Sequence, residues 1–252
     1  MEIRTFGTGE RLGECCARLL LYKDELPIKE LLLLPIPTTR DKKYITATDT
    51  PLSEIEELCH EGVFVAGYGI PKEQVSAAES RGARVYDASM DEAFLKKNAD
   101  ITARGALGRL LTDTKKDITD MKIGIIGYGR IGKELTRLCL FLGASVTVYT
   151  KRAEVCADLL AAGIDSQIIT SECDLSKNDV VFNTAPEAII KAEIIASLPE
   201  KTSIIDLASG NIFEPSARLT KLASIPDAMY PITAGRVYAE AIICAIRGRC
   251  YG

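Results

Sequence analysis

The chain has 252 residues, of which 47% are hydrophobic, and its formal net charge at pH 7 is −4. This length provides one large or two modest domains, and an acidic balance without a basic block argues against nucleic acid as a main partner. No apolar run approaches the length of a membrane span, and the N-terminus lacks the features of a signal peptide, so we expect a cytoplasmic protein that does not bind membranes.

Residues 1–97 are predicted to form a small α/β domain in which strands and helices alternate. Thr50 and Pro51 suit an N-cap and a first helical residue, so one helix is predicted to run from Pro51 to about His60. The amphipathic helix predicted over 235–252 is expected to pack back on this domain. Alternating strands and helices indicate a mostly parallel sheet, in this case of the flavodoxin-like type. The predicted strands cover 2–6, 31–34, 63–66 and 83–86, and the other helices cover 11–21 and 71–80.

A predicted helix over 90–114 links this domain to a second one, which we expect over 98–234. Its best-defined segment, residues 122–152, is KIGIIGYGRIGKELTRLCLFLGASVTVYTKR and reads as strand, glycine turn, helix and strand. Glycines spaced G-x-G-x-x-G allow a tight turn, close approach of a pyrophosphate and close packing of the helix on the strand. The unpaired N–H groups at the start of the helix favour a phosphate. The segment therefore predicts a Rossmann dinucleotide site at Gly127, Tyr128, Gly129, Arg130, Ile131 and Gly132.

The end of the second strand predicts which dinucleotide is bound. NAD-specific sites have Asp or Glu at this position to hold the ribose hydroxyls. This chain instead has Thr150, Lys151 and Arg152, and the first carboxylate after the strand is that of Glu154. A hydroxyl followed by two cations suits the 2′-phosphate of NADP, which Arg can hold with two hydrogen bonds. We therefore expect NADP as the cofactor, with NAD as the alternative.

Two later strands, predicted over 179–182 and 203–207, end in loops of small and polar residues. Ligands of doubly wound sheets lie beyond the carboxyl ends of the strands. These loops are therefore expected to complete the cofactor site, while Asp206 anchors its own loop. The expected cofactor contacts are Asn183, Thr184, Ala185, Pro186, Leu207 and Ala208. A small carboxylate-bearing substrate is expected beside Thr102, Arg104, Ser209 and Thr233.

Taken together, these segments resemble the dipicolinate synthase A-subunit family. The resemblance rests on the glycine motif together with 182–186, 205–209 and 233–235, and with Thr102-Ala103-x-Gly105-Ala106 ahead of them. It implies an NADP-binding domain and a second α/β domain sharing a cleft, in a layout similar to the D-2-hydroxyacid dehydrogenases. It also implies a sporulation enzyme that forms dipicolinate from a dihydrodipicolinate-level precursor, with a flavoprotein-like second subunit. We further expect a homo-oligomer.

Two departures from the family pattern keep other functions open. The family tends to have Glu where this chain has Arg104, and Arg-Pro-Gly-Gly where it has residues 210–213, so a non-catalytic NADP-binding accessory or sensor protein is one alternative. The other is a D-2-hydroxyacid dehydrogenase-like enzyme. Such enzymes use a histidine located after the nucleotide domain, but the one histidine of this chain is His60, so Tyr230 or Tyr238 would have to transfer the proton. One histidine and no C-x-x-C pair predict no metal site.

Overall fold

The protein is described by a computed structural model covering residues 1–170, 173–186, 195, 198–208 and 219–248. The chain divides into two compact units, one formed by Met1–Asn98 with Pro226–Gly252 and the other by Ala99–Ile225. Each unit is built on a parallel sheet, which confirms the predicted α/β class. None of the helices in the described ranges is long and apolar enough to span a membrane.

Strands and helices alternate along most of the chain, and both are numbered in chain order. The strands are β1 (Glu2–Thr5), β2 (Glu30–Leu33), β3 (Val63–Gly67), β4 (Arg84–Asp87), β5 (Lys122–Ile126), β6 (Ser145–Thr150), β7 (Asp165–Ile168), β8 (Val180–Asn183), β9 (Ser203–Asp206) and β10 (Leu219–Lys221). The described helices are α1 (Glu10–Leu20), α2 (Ser53–Leu58), α3 (Lys72–Ser80), α4 (Glu92–Asp113), α5 (Arg130–Phe141), α6 (Ala153–Ala161), α7 (Ile225–Met229) and α8 (Pro231–Ile246).

The sheet of the first unit has the strand order β1-β2-β3-β4, with neighbouring strands parallel. Leu31 and Leu33 pack in the core formed with α1 and α8, whereas Leu32 and Leu34 pack on the opposite face with α2 and α3. Each new strand is therefore added on the same side of the sheet, but α1 covers one face whereas α2 and α3 cover the other. The first crossover therefore has the opposite hand to the next two, an exception to the general rule that such crossovers are right-handed.

The start of α2 differs from the sequence prediction. Pro51 forms an antiparallel bridge with Tyr44, and the amide of Leu52 donates to the carbonyl oxygen of Lys43 at 2.9 Å. These contacts tie Pro51 and Leu52 to the preceding loop, so the helix begins two residues after Pro51, at Ser53. It ends at Leu58 instead of His60 because Cys59 is extended, with ψ 129°.

The sheet of the second unit has the strand order β10-β9-β8-β5-β6-β7, again with neighbouring strands parallel. This is the Rossmann order, in which the direction of strand addition reverses between the first and fourth strands, here β5 and β8. Buried apolar residues of the central strands pack against α4 and α5. The three-residue strand β10 was not predicted, because so short a segment has no readable periodicity. Because these strands are parallel, the carboxyl ends of β5, β6, β8 and β9 share one edge of the sheet, and the candidate site lies at that edge, where the strand order reverses.

Candidate functional site

The turn after β5 depends on the first glycine of the motif. Gly127 has a φ of +88°, in the left-handed region that side chains disfavour. Its amide donates to the carbonyl oxygen of Tyr149 at 2.8 Å. A β-carbon on Gly127 would also lie 2.9 Å from the hydroxyl oxygen of Thr184. Both the backbone conformation and the space available therefore require glycine at this position.

The other two glycines of the motif have different surroundings. A β-carbon on Gly132 would overlap the carbonyl oxygen of Gly127, so its absence allows α5 to lie against the end of β5. Gly129 is the N-cap of the 12-residue helix α5, and a β-carbon there would have no atom within 4 Å. This open space lies beside the first N–H groups of a helix, which have no acceptor within the helix itself, and it fits the pyrophosphate of a dinucleotide.

At the end of β6, the second cation of the predicted set reaches back to the glycine turn. Arg152 donates from Nη2 to the carbonyl oxygen of Tyr128 at 3.0 Å. The hydroxyl of buried Thr150 accepts a hydrogen bond of 3.2 Å from the amide of Arg152. Lys151 and Arg152 are both exposed. The structure thus places an arginine between the end of β6 and the glycine turn, where the adenosine ribose of a dinucleotide would lie.

The ends of β8 and β9 are joined by a pair of buried polar side chains. Asn183 and Asp206 are both 1% exposed, and Asn183 Nδ2 donates to Asp206 Oδ1 at 2.8 Å. The same carboxyl oxygen accepts from the amide of Ala208 at 3.1 Å. Asp206 therefore anchors the turn after β9, as expected from its position. Thr184 links β8 to the end of β5, since its hydroxyl donates to the carbonyl oxygen of Ile126 at 2.9 Å.

The remaining predicted cofactor residues lie close to these strand and helix ends in the sequence. Arg130 is exposed and Ile131 half-buried in the first turn of α5. Ala185 and Ala208 are buried, Leu207 is half-buried and Pro186 is exposed.

The predicted substrate residues fall in different units. Thr102 is buried in α4, and Arg104 is exposed on the same helix, with its Nη2 4.0 Å from a carboxylate oxygen of Asp100. Both belong to the second unit, whereas Thr233 is exposed on α8 in the first unit. Ser209 lies outside the described residues. The substrate site therefore remains a prediction.

One residue beside the glycine turn was missed at the sequence level. The ammonium nitrogen of Lys133 lies 5.7 Å from the ring centroid of Tyr128, a cation–π distance. Its position directly after the third glycine was the available signal, because it places a cation in the first turns of the phosphate-binding helix.

Comparison with known proteins supports a dehydrogenase-type nucleotide domain. The family model described as "D-isomer specific 2-hydroxyacid dehydrogenase, NAD binding domain" matches residues 93–229, more than half of the chain. Hydroxypyruvate reductase of Thermotoga maritima is 23% identical over 253 residues, covering 92% of this chain and 79% of that protein.

The A-subunit of dipicolinate synthase is similar both in sequence and in structure. The protein from Bacillus subtilis is 26% identical over 157 residues, which cover 58% of this chain and 52% of the relative, so the match spans about half of that protein's length. The crystal structure of the A-subunit from Bacillus halodurans has a TM-score of 0.78 at 19% identity and covers 97% of each chain. The resemblance found in the sequence is thereby confirmed, and the structural likeness shows a shared fold.

Proposed function

The chain belongs to the family defined by the D-isomer-specific 2-hydroxyacid dehydrogenase NAD-binding domain, which marks it as an NAD(P)-dependent oxidoreductase, and from this premise we propose that it uses NADP to oxidise a dihydrodipicolinate-level precursor to dipicolinate. The proposal includes a cytoplasmic enzyme, a role in sporulation, a homo-oligomeric state and a flavoprotein-like second subunit. Similarity in sequence and fold to the A-subunit of dipicolinate synthase supports the substrate class.

The observation that carries the choice of NADP is the hydrogen bond between Arg152 and Tyr128 at 3.0 Å. It holds a guanidinium beside the glycine turn, at the end of a strand that lacks the carboxylate of an NAD-specific site. Lys151 adds a second exposed cation next to it. Two cations and no carboxylate favour the additional phosphate of NADP by charge and by hydrogen bonding.

The protein's task in the proposed reaction is mainly to hold the two reactants. Bound NADP would supply the hydride acceptor, and the dihydro precursor would also lose a proton as its ring becomes aromatic. Aromatisation drives this step and the released proton can pass to water, so the proposal needs no strong base from the chain. We propose Thr102, Arg104, Ser209 and Thr233 as contacts for the carboxylates and ring of the substrate. Arg104, whose side chain is 53% exposed, is the cation of this set.

The test is to mix the purified chain with NADP and freshly formed dihydrodipicolinate precursor, with and without a partner flavoprotein, and to follow the absorbance of reduced nicotinamide. NADP reduction that depends on the chain is the expected result. If NADP binds but is not reduced in either mixture, the accessory or sensor function replaces this proposal.

A second candidate is the reduction of a 2-keto acid such as hydroxypyruvate, which is favoured by a match over 92% of this chain to a hydroxypyruvate reductase. Two of the residues that could supply the proton argue against it. His60 lies in the first unit with its side chain 64% exposed. Tyr238 is buried, its hydroxyl donates to the carbonyl oxygen of Leu34 at 3.3 Å, and burial raises its pKa well above the usual value. Assays with hydroxypyruvate and either reduced cofactor decide between the two functions.

A further inference from the structure

One carboxyl oxygen at the end of β9 has no hydrogen-bond donor among the described residues. Asp206 is 1% exposed, and its Oδ1 accepts from both Asn183 Nδ2 and the amide of Ala208. Its Oδ2 is buried and receives no hydrogen bond from any group in the described part of the chain. A buried acceptor left without a partner destabilises a protein, and more so when it carries charge.

The position of Asp206 in the sheet indicates which ligand supplies the missing donor. A Rossmann sheet consists of two mononucleotide-binding halves that meet where the strand order reverses. The glycine turn and Arg152 belong to the half formed by β5, β6 and β7, whereas Asp206 ends a strand of the other half. With the adenosine phosphate at Arg152, the other half receives the nicotinamide nucleotide.

The chemistry of nicotinamide matches a carboxylate with one oxygen available. Its carboxamide has two N–H donors, and its ring is positively charged in the oxidised cofactor. We propose, on the basis of the proposed function, that Asp206 binds the nicotinamide carboxamide through Oδ2. Asn183 positions the Asp206 carboxylate by donating to its Oδ1. Asp206 thereby selects the amide over the corresponding acid.

This assignment is tested with three cofactor derivatives that differ only at the nicotinamide end. NADP has the carboxamide, nicotinic acid adenine dinucleotide phosphate has a carboxylate in its place, and 2′-phospho-ADP-ribose lacks the pyridine ring. Titration calorimetry measures the dissociation constant of each. The wild type should bind NADP most tightly and the acid derivative roughly 10- to 100-fold more weakly, because two carboxylates would face each other.

The informative variant is Asp206→Asn. It keeps Oδ1 as the acceptor for Asn183 and Ala208, and it replaces the unpaired oxygen with an amide donor. The affinity for NADP should fall about tenfold, that for the acid derivative should rise, and that for 2′-phospho-ADP-ribose should stay unchanged.

Asp179→Asn is the matched control: Asp179 lies at the opposite end of β8 and pairs with Lys116 at 2.8 Å, so its loss should leave all three affinities unchanged. Asp206→Ser is the second variant if Asp206→Asn does not fold, and it should narrow the gap between amide and acid.

The outcomes separate this inference from the proposed function. Equal binding of NADP and the acid derivative by the wild type, or undiminished discrimination in the Asp206 variants, would overturn the role of Asp206 while leaving NADP binding intact. If the wild type binds none of the three compounds, the proposed function itself fails.

Discussion

The guanidinium of Arg152 donates a hydrogen bond of 3.0 Å to the carbonyl oxygen of Tyr128. It joins a residue two positions after the end of β6 to the glycine turn that follows β5, although the two residues are 24 positions apart in the sequence. The bond fixes the guanidinium beside the proposed adenosine site. Removal of the guanidinium should therefore change the affinities for NADP and NAD by different amounts.

We expect Arg152→Ala to weaken NADP binding by roughly 1–3 kcal/mol and NAD binding by much less, because only NADP has a phosphate for the guanidinium. Calorimetry with both cofactors measures the difference. Arg137→Ala is the control, since Arg137 is an exposed arginine of the same unit that pairs with Glu134 at 2.7 Å. Equal losses for NAD and NADP would contradict the assignment.

Substitutions at Gly129 and Gly132 should separate ligand binding from folding. A β-carbon on Gly129 meets open space, so Gly129→Val should fold but lose nucleotide binding, because the side chain fills the room for the pyrophosphate. Gly132→Ala should lower the melting temperature, because its β-carbon overlaps the Gly127 carbonyl and overpacking costs about 1–3 kcal/mol. Thermal unfolding with and without NADP measures both effects. If NADP raises the melting temperature of Gly129→Val as much as that of the wild type, the site lies elsewhere.

The first unit contains a buried arginine whose loss should be costly. Arg11 is 5% exposed, and it donates to Asn98 at 2.9 Å and to Asp227 at 3.3 Å. Arg11→Met keeps an apolar stem but leaves both acceptors without this donor, so we expect a loss of about 2 kcal/mol. Urea unfolding followed by circular dichroism measures it.

The control for Arg11 is Arg236→Ala, which removes an exposed pair with Glu14 at 2.9 Å. Exposed pairs contribute about 0–1 kcal/mol, so this variant should unfold near the wild-type urea concentration. Equal destabilisation by the two substitutions would show that the burial of Arg11 has no energetic consequence.

Asp179 should make stability depend on pH in a defined direction. The hydrogen bond from Lys116 lowers the pKa of Asp179 in the folded chain, with a further contribution from the amide of Lys122. A carboxyl whose pKa is lowered by folding stabilises the protein fully above its unfolded pKa of about 3.9, and this contribution is lost as the pH falls through the folded value. Asp179→Asn should therefore be less stable than the wild type at pH 7, with the difference shrinking below about pH 4. Unfolding midpoints measured across this range provide the test, and a difference that grows toward acid pH would refute it.

Much of the second unit could be predicted from the sequence because its signals are local. The apolar run before Gly127 and the spacing of Gly127, Gly129 and Gly132 specify a strand, a turn and a helix within a few residues. The cations at Lys151 and Arg152 follow directly from the end of β6, so they could be recognised by position alone. In the first unit, most strands and helices were also recognisable from their apolar pattern.

Other features depend on contacts between residues far apart in the chain, which local patterns do not encode. Pro51 has the residue type of a helix start, but its bridge to Tyr44 delays α2. The partners of Arg11 lie 87 and 216 positions away, and Asn183 meets Asp206 only because β8 and β9 pair in parallel register. The sequence by itself determined the strand, turn and helix of the nucleotide motif, since neighbouring residues supply both conformation and spacing. Tertiary structure alone decided the strand order and which buried polar groups have partners, because these depend on segments brought together by folding.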